Sequence, residues 1–482
     1  MSEYRIVKTK SGMVRGSMTK SGCRFLGIPY AHAERFRAPQ PASWTGVFDA
    51  SEYGMVPAQP NFHGKWPKEN AFRLLGGEDC QNLNIWTPDT DPEKPYPVLV
   101  YIHGGAFQSG SGNGPECAGE AFCGEAPIVY VTVNERVGVL GYLETGRLLG
   151  PDYEGSSNNG IRDVIEALQW IHENIAGFGG DPGRVTLMGT SAGAKLIASL
   201  LTNPASGSLF HQIIVESGAT QSLRSAGTAL RIAERFRDFL GKDADHLLTM
   251  STEQLMRAQA EFCDSDGATC YFGPVFDERL FFENWKEAWG NGAAWKGKAL
   301  IGSCLHELSG TVHKPDFPEN RESILKCMFG SGYTFAEQAR EELRTAVPEM
   351  DEGDAWTKVM SDYMYRTYSQ RLAELLTEAG DEVWMYSFDL APAVHGMGQA
   401  VSLGKYESAL PGTDLYEMEC LTRHMKMRCM EFCISGTPDR ADLVHWPSFR
   451  ERKKLLLDIP CRITDLDTEK PLECFPEYVF SL

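Results

Sequence analysis

The sequence predicts an α/β fold in which a large, mostly parallel sheet is covered by helices on both faces. From Pro97 onward, short and almost continuously apolar runs alternate with helix-like stretches, which is typical of buried parallel strands. These runs are VLVYI at 98–102, IVYVTV at 128–133, VTLM at 185–188, IIV at 213–215, ALI at 299–301 and VWMYSF at 383–388. A long helix between the second and third runs is indicated by apolar residues along one face: Ile161, Val164, Ile165, Leu168, Ile171 and Ile175.

The regions outside this alternation follow two other patterns. Short strand-like runs at 5–7, 13–16 and 23–28 are separated by turns and predict N-terminal hairpins packed beside the main sheet. Two longer helical insertions, at about 226–263 and 320–380, interrupt the strand rhythm, and we expect them above the carboxyl ends of the strands. Because a large α/β chain can fold around one sheet, we predict a single domain over residues 1–482.

The charge balance and the cysteines narrow the class of protein. With 46 Lys and Arg against 65 Asp and Glu, the net charge of −19 would repel phosphate backbones and anionic lipids, so nucleic acid and membrane are not expected partners. No apolar run approaches the roughly 20 residues that span a bilayer, and the N-terminus does not resemble a signal peptide. The 13 cysteines are scattered and lack paired CxxC spacing, which argues against structural zinc. We therefore expect a cytoplasmic protein.

The segment 184–202, RVTLMGTSAGAKLIASLLT, places the pattern G-x-S-x-G between a strand-like run and a helix-like run. A serine at such a sharp turn lies in strained backbone, so the residues two positions away must be small, as Gly189 and Gly193 are. The turn also puts Ser191 at the start of a helix, where N–H groups favour developing negative charge. An isolated G-x-S-x-G string is equally typical of an ordinary turn, so the flanking elements support the prediction that Ser191 is a nucleophile.

A glycine-rich loop follows the strand VLVYI directly, with the sequence His103-Gly104-Gly105-Ala106-Phe107. Glycines at a strand end let backbone N–H groups approach a ligand without obstruction by side chains. A flexible turn is the simpler interpretation, and a phosphate-binding loop is disfavoured because no Gly-Lys-Ser/Thr follows. Together with the turn at Ser191, the loop is typical of an oxyanion loop of the HGGG type.

A nucleophilic serine needs a base and a carboxylate that orients the base. Glu307 follows the strand KALIG, and His395 lies in the loop APAVHGMG after the strand VWMYSFDL. Both positions are at strand carboxyl ends, where side chains from separate strands converge, and the order Ser, acid, His is that of α/β-hydrolases. A single histidine is more often a solvated or core residue. Other histidines follow Glu307 but no strong strand directly precedes them: His313, His424 and His445.

The chain resembles the type-B carboxylesterase and cholinesterase-like family over nearly its full length. The stretches that carry the resemblance are FLGIPYA at 25–31, GEDCQNLNIWTP at 77–88, YIHGGAF at 101–107, ALQWIHENIAGFGGDPGRVTLMGTSAGA at 167–194, LFHQIIVESG at 209–218 and ISGTPD at 434–439. The resemblance implies an α/β-hydrolase fold and a catalytic triad of Ser191, Glu307 and His395. It also implies an oxyanion hole formed by the N–H groups of Gly105, Ala106 and Ala192, and a buried serine, Ser217, that supports the triad.

Several positions depart from the family pattern. Thr190 precedes the nucleophile where relatives commonly carry an acidic or amide residue, Glu135 replaces the Tyr of an N-Y-R motif, and Gly398 replaces a Glu after the histidine. Ala106 stands for the third glycine of the oxyanion loop, and we expect it to keep its backbone donor while crowding the acyl side. Secreted relatives pair the cysteine of the E-D-C motif, but the partner of Cys80 is replaced here by Ala58.

These features predict a serine carboxylesterase that acts on a small-molecule ester through an acyl-enzyme and needs no metal or organic cofactor. An amidase, thioesterase or carbamate hydrolase with the same triad is an alternative, because the leaving group is selected by pocket shape. A non-catalytic adhesion or scaffold protein of the same fold is a second alternative, although such proteins typically lose the nucleophile. The natural ester and the oligomeric state do not follow from the sequence.

Overall fold

The computed structural model describes residues 4–61, 72–114, 117–203, 206–220, 223–241, 243, 245–265, 271–281, 295–404 and 414–466. The chain forms two compact units. The first unit comprises residues 1–187, 205–210 and 223–283, and the second comprises residues 188–204, 211–222 and 284–482.

The described residues contain the following strands, which are numbered in chain order. They are β1 (Tyr4–Lys8), β2 (Met13–Thr19), β3 (Gly22–Pro29), β4 (Ala31–His32), β5 (Gln40–Pro41), β6 (Val47–Asp49), β7 (Gln59–Pro60), β8 (Leu74–Leu75), β9 (Asn82–Thr87), β10 (Tyr96–Ile102), β11 (Val129–Val133), β12 (Gly180–Thr190), β13 (Gln212–Glu216), β14 (Lys298–Cys304), β15 (Glu382–Phe388), β16 (Lys453–Leu457) and β17 (Arg462–Asp465). All six apolar runs predicted to be strands are strands.

The α-helices of the described residues separate these strands. They are α1 (Glu120–Cys123), α2 (Gly138–Tyr142), α3 (Gly146–Leu149), α4 (Asn159–Asn174), α5 (Ala192–Leu200), α6 (Ala226–Leu240), α7 (His246–Thr249), α8 (Thr252–Ser265), α9 (Ser309–Val312), α10 (Phe317–Phe329), α11 (Tyr333–Ala346), α12 (Glu352–Ser361), α13 (Thr367–Glu378), α14 (Met397–Ser402) and α15 (Leu415–Ser435). A π-helical turn at Asp362–Arg366 joins α12 to α13.

Helix α4 confirms the helix predicted from its apolar face. Its side chains Ile161, Val164 and Leu168 are completely buried. Burying such side chains stabilises a fold by about 1.5–3 kcal/mol each relative to exposure. A short 3₁₀ turn follows the helix, and Gly179 ends it with a φ of 80°, a left-handed conformation that glycine adopts without steric cost.

The strands of the first unit pair in the order β1-β2-β3-β9-β11-β10. The pair β10 and β11 is parallel, with Val98 opposite Val129. The N-terminal runs form the predicted antiparallel hairpins β1-β2 and β2-β3. They extend the sheet instead of packing beside it, because β3 pairs with β9 and β9 pairs with β11. That part of the prediction was wrong, since the pattern of apolar residues within a strand does not specify which strand it pairs with.

The strands of the second unit pair in the order β13-β14-β15-β16-β17. The first three pairs are parallel, and only β17 runs antiparallel to its neighbour. Their carboxyl ends therefore share one edge. Ser191 follows β12, Ser217 follows β13, Glu307 follows β14 and His395 follows β15, so the predicted site residues come after successive strand ends.

Both stretches predicted to be helical insertions contain helices. Residues 226–263 include α6, α7 and most of α8 in the first unit, and residues 320–380 include most of α10 together with α11, α12 and α13 in the second. The placement of these helices above the strand ends stays a prediction, as does the single domain over 1–482, part of which lies outside the described residues.

Candidate active site

Ser191 lies in a strained turn between β12 and α5. Its backbone angles, φ of 57° and ψ of −120°, are unfavourable for any residue other than glycine. Such strain persists where the surrounding structure enforces it. The Ser191 N–H donates to the carbonyl oxygen of Glu216 at 2.9 Å, which fixes the turn from the neighbouring strand. A Cβ at Gly189 would meet the carbonyl carbon of Gly193 at 2.7 Å, so glycine is required there. The turn has the conformation expected of a nucleophile elbow.

The structure brings Ser191, His395 and Glu307 into one hydrogen-bonded chain. The His395 Nε2 atom is 2.8 Å from the Ser191 Oγ, and the His395 Nδ1 atom is 2.6 Å from the Glu307 Oε2. An ionised carboxylate only accepts, so Nδ1 carries the proton and Nε2 is left to accept from the serine hydroxyl. The three predicted side chains thus have the geometry that proton transfer from serine to histidine requires.

Backbone contacts hold the acid and the base together. The His395 N–H donates to the Glu307 carbonyl oxygen at 3.0 Å, and the Cys304 N–H donates to the Glu307 Oε1 at 2.8 Å. The Glu307 side chain has no exposed surface, whereas the His395 side chain is 28% exposed. The carboxylate is therefore fixed on both oxygens, and the imidazole retains one accessible side.

An aromatic ring covers part of the His395 imidazole. The ring centroids of Tyr365 and His395 are 4.6 Å apart, and the ring planes are inclined by 33°. Tyr365 lies in the π-helical turn, where the buried Asp362 pairs with Lys358 and Arg366 at 2.8 Å each. The Lys195 Nζ lies 5.0 Å from the Tyr365 ring centroid, so the ring that covers the imidazole also contacts a cationic side chain of α5.

The other histidines considered as bases have different partners. The partners of His313, His424 and His445 are the Ser309 carbonyl oxygen at 3.0 Å, the Arg428 Nε–H at 2.8 Å and the Asp439 Oδ2 at 2.6 Å, respectively. Burial, together with the Arg428 charge, lowers the pKa of His424 to about 4. Of the four candidate histidines, His395 is the one for which a contact with Ser191 is found in the described residues.

The sequence did not point to Glu216, the last residue of β13. Its side chain is buried, at 1% exposure, and accepts hydrogen bonds from the hydroxyls of Thr190 at 2.8 Å, Tyr386 at 2.6 Å and Ser402. Burial raises the pKa of this carboxyl, and the three hydroxyls oppose that effect. A charged residue ending the apolar strand IIVE was the signal available in the sequence, because an unpaired charge is rarely buried.

Ser217 follows Glu216 and is buried, as expected. Its φ is 53°, and its N–H donates to the Gly302 carbonyl oxygen at 2.8 Å. Its hydroxyl forms a hydrogen bond with the Cys304 thiol. The backbone N–H of the same cysteine binds Glu307. Ser217 therefore joins the strand that ends before Glu307, and its support of the triad stays a prediction.

The glycine-rich loop of the first unit is tightly wound. Gly105, Ala106 and Phe107 have φ values of 118°, 54° and 60°. The Gln108 and Ser109 N–H groups both donate to the Gly105 carbonyl oxygen, at 2.9 and 3.0 Å. A Cβ at Gly105 would lie 2.0 Å from the Ser109 oxygen. The loop is thus a compact turn in which Ala106 accepts a left-handed conformation that normally favours glycine.

Glu135, one of the departures from the family pattern, contacts His103 inside the first unit. The His103 Nδ1 is 2.8 Å from the Gly104 carbonyl oxygen, so Nδ1 donates and Nε2 accepts. The Glu135 Oε2 lies 3.3 Å from Nε2, and both side chains are 4% exposed. Burial lowers the pKa of His103 to about 4 and raises the pKa of Glu135 well above its ordinary range. Burial therefore disfavours the charged form of each of these two neighbouring side chains.

Cys80 is a buried free thiol. Burial raises its pKa well above the ordinary range, which makes the thiolate scarce. Ala58, at the position of the missing family partner, is also buried. Among the residues that the structure describes, no three His, Cys, Asp or Glu side chains are arranged to hold a metal ion.

The sequence of residues 3–471 matches the model of the carboxylesterase family, so the chain belongs to that family. It is 30% identical over 502 residues to the para-nitrobenzyl esterase of Bacillus subtilis, covering 98% of this chain and 99% of the relative. It is 30% identical over 497 residues to esterase B1 of Culex pipiens, covering 91% and 89% of the two chains. It is a carboxylic ester hydrolase.

Solved structures agree with the assignment of the fold. The crystal structure of the carboxylesterase EST55 of Geobacillus stearothermophilus is 32% identical, with a TM-score of 0.82 over 96% of this chain and 98% of that chain. The predicted α/β-hydrolase fold is therefore confirmed. None of the helices within the described ranges combines the length and apolar character needed to cross a bilayer.

Proposed function

We propose that the protein hydrolyses small carboxylic esters with a Ser191-His395-Glu307 triad. The observation that carries this proposal is the chain of contacts at 2.8 and 2.6 Å that joins the serine oxygen to the buried carboxylate through the imidazole. The strained turn at Ser191 presents the serine oxygen for attack, and the backbone contacts of Glu307 fix the orientation of the imidazole before a substrate binds.

The reaction proceeds in two halves. The Ser191 oxygen forms a bond to the ester carbonyl carbon while His395 takes the serine proton, and collapse of the tetrahedral intermediate breaks the ester bond. The alcohol leaves with the proton held by His395, and an acyl-enzyme remains. His395 then removes a proton from water as the hydroxyl adds to the acyl carbon, and collapse of the second tetrahedral intermediate breaks the bond to the Ser191 oxygen. That oxygen takes the proton back from His395, and the carboxylic acid is released. Glu307 holds the tautomer and stabilises the imidazolium in both halves.

Backbone N–H groups would stabilise the oxyanion of the tetrahedral intermediate. Ala192 begins α5 directly after the nucleophile, where an N–H group at a helix start favours negative charge. The assignment of Gly105 and Ala106 to the same role rests on the sequence resemblance. Removal of one such donor typically costs about 10²–10³-fold in kcat.

We infer that the protein acts in the cytoplasm. The replacement of the family partner of Cys80 by Ala58 and the scattered cysteines support this inference, because reducing compartments do not select for disulfides.

The proposal is tested with p-nitrophenyl esters of increasing acyl length and with an organophosphate label. Ser191→Ala should lose about 10⁴-fold or more in kcat, and the label should map to Ser191 by mass spectrometry. The matched control is Ser199→Ala on the same helix, whose buried hydroxyl donates only to the Lys195 carbonyl oxygen at 2.8 Å. Undiminished hydrolysis by Ser191→Ala, or labelling of another serine, would contradict the proposal.

A further inference from the structure

The buried carboxylate of Glu216 lies in a lateral row that crosses three strands. In the parallel register of β13, β14 and β15, Glu216 is opposite Gly302 and Gly302 is opposite Tyr386. A Cβ at Gly302 would lie 2.1–2.3 Å from three carbons of the Tyr386 ring. The absence of a side chain on β14 therefore lets the phenol cross that strand and donate to Glu216 Oε1 at 2.6 Å.

Two further hydroxyls come from the segments that flank the reacting side chains. Thr190 directly precedes Ser191 and donates to the Glu216 Oε2 at 2.8 Å. Ser402 ends α14, which begins two residues after His395, and donates to the Glu216 Oε1. The main chain of Glu216 also accepts the Ser191 N–H. One residue thus binds the turn of the nucleophile and the helix that follows the base.

Glu216 does not contact a substrate, because its carboxylate is sealed among these partners at 1% exposure. Four titratable side chains interact electrostatically with Glu216: Glu307, Cys304, Cys429 and Tyr386. Three hydroxyls donate to this carboxylate, which only accepts. An amide in its place would present an N–H group to one of these hydroxyls and force it to accept instead of donate, so the cluster depends on the carboxylate and not only on the size of the side chain.

Two departures from the family pattern meet at this carboxylate. By the sequence resemblance, Thr190 occupies a position where relatives commonly carry an acidic or amide residue, and Gly398 occupies the position of a glutamate. A Cβ at Gly398 would lie 3.8 Å from the carboxylate carbon and both oxygens of Glu216. A glutamate there would place a second carboxyl against a buried one, and two adjacent carboxylates disfavour each other's ionisation. The neutral side chain of Thr190 and the absence of a side chain at Gly398 are therefore compatible with a buried carboxyl group at Glu216.

We propose that Glu216 is a positioning residue of the esterase, whose carboxylate holds the nucleophile turn and the helix after His395 through the hydroxyls of Thr190, Tyr386 and Ser402. This inference rests on the proposed function. Because Glu216 acts on the placement of Ser191 and His395 and not on substrate binding, its loss should lower kcat and leave KM unchanged. A misplacement of about 1 Å can cost about a hundredfold in rate.

The test measures kcat and KM with p-nitrophenyl butyrate for Glu216→Gln and for a matched control, Asp381→Asn. Asp381 is a buried carboxylate that accepts the Gly297 N–H at 3.0 Å, and it precedes β15, at the opposite end of the strand from the site. We expect Glu216→Gln to lose about tenfold or more in kcat with KM within about twofold, and Asp381→Asn to keep kcat within about twofold. A kcat within twofold of wild type in folded Glu216→Gln, an effect on KM alone, or an equal loss in Asp381→Asn would overturn the proposal.

A second set of variants removes the donors one at a time and guards against misfolding of Glu216→Gln. Tyr386→Phe, Ser402→Ala and Thr190→Val should each lower kcat several-fold at constant KM. Tyr386→Phe combined with Glu216→Gln should be no worse than Glu216→Gln, because the two groups act as one unit. Unchanged kcat in all three single variants, or additive losses in the double variant, would overturn the proposal. A wild-type protein without esterase activity would instead refute the proposed function.

Discussion

Glu307→Gln is predicted to disable catalysis while leaving the fold intact, because the two oxygens of this carboxylate have different partners. Oε1 accepts the Cys304 N–H at 2.8 Å, and Oε2 accepts from the His395 Nδ1 at 2.6 Å. In the amide, the oxygen will face Cys304, since the reverse orientation would leave buried donors opposed at a cost of about 1–3 kcal/mol. The NH₂ group then faces Nδ1, and the imidazole must carry its proton on Nε2.

That tautomer cannot accept the proton of Ser191. Loss of the orienting carboxylate with the wrong tautomer costs about 10⁴-fold in kcat, which corresponds to about 5 kcal/mol in the activation free energy. If the amide took the opposite orientation, its opposed donors would cost about 1–3 kcal/mol. That cost corresponds to a loss in kcat of roughly 5- to 150-fold, which is the lower limit of the expected effect. The expected decrease therefore lies between these limits and near the upper one.

The assay is kcat/KM for p-nitrophenyl butyrate at neutral pH, with circular dichroism and thermal unfolding to check the fold. His395→Ala and the double variant complete the design, because members of a triad act as one unit and their losses do not add. A folded Glu307→Gln with kcat/KM within fivefold of wild type would refute the reasoning. Additive losses in the activation free energy of the double variant would remove Glu307 from the triad.

Three further predictions concern the substrate, a thiol and the dependence of stability on pH. Butyrylcholine should have no advantage over butyl butyrate, since Thr190 is neutral and Glu216 is buried among its hydroxyl partners; a tenfold preference in kcat/KM would contradict this. Cys80 should be recovered as a free thiol when the unfolded protein is alkylated without reduction, and recovery as a disulfide would also oppose the cytoplasmic assignment. Because His103 has a pKa of about 4 in the fold and about 6.5 when unfolded, the unfolded state binds more protons between these values. The contribution of His103 to stability should therefore fall by about 3 kcal/mol as the pH drops from about 6.5 to 4, while the raised pKa of Glu135 acts in the opposite direction. Thermal unfolding should show His103→Gln gaining stability relative to wild type over that interval.

The sequence was sufficient to find those site residues whose location follows from lying just after a strand. Ser191 was marked by small neighbours on a strand-to-helix turn, and Glu307 and His395 were marked by their places after strands that proved to be parallel. Parallel strands present their carboxyl ends at one edge, so knowledge of the strand ends was enough to group these side chains.

Contacts that depend on lateral register could not be predicted in this way. The cluster at Glu216 requires that Gly302 lie opposite Tyr386 in the neighbouring strand, and no periodicity within a strand encodes that alignment. The same limit explains the error over the N-terminal strands, whose alternation was read correctly but whose partner, β9, was not. The contact of His103 with Glu135 depends on two loops meeting, which local pattern does not reveal.

The π-helical turn at Asp362–Arg366 gives this stretch of chain a sensitivity to length. Helix α12 continues through the turn into α13 without a break, and a π-helical turn holds one residue more than an α-helical turn. Because the π-helical turn absorbs one additional residue, deletion of one residue here would restore regular winding and keep the two flanking helices in phase. The side chains within the turn would be redistributed around the axis, and Tyr365 would leave the imidazole of His395. Loss of a single codon would thus preserve the long helix and still change what the base meets.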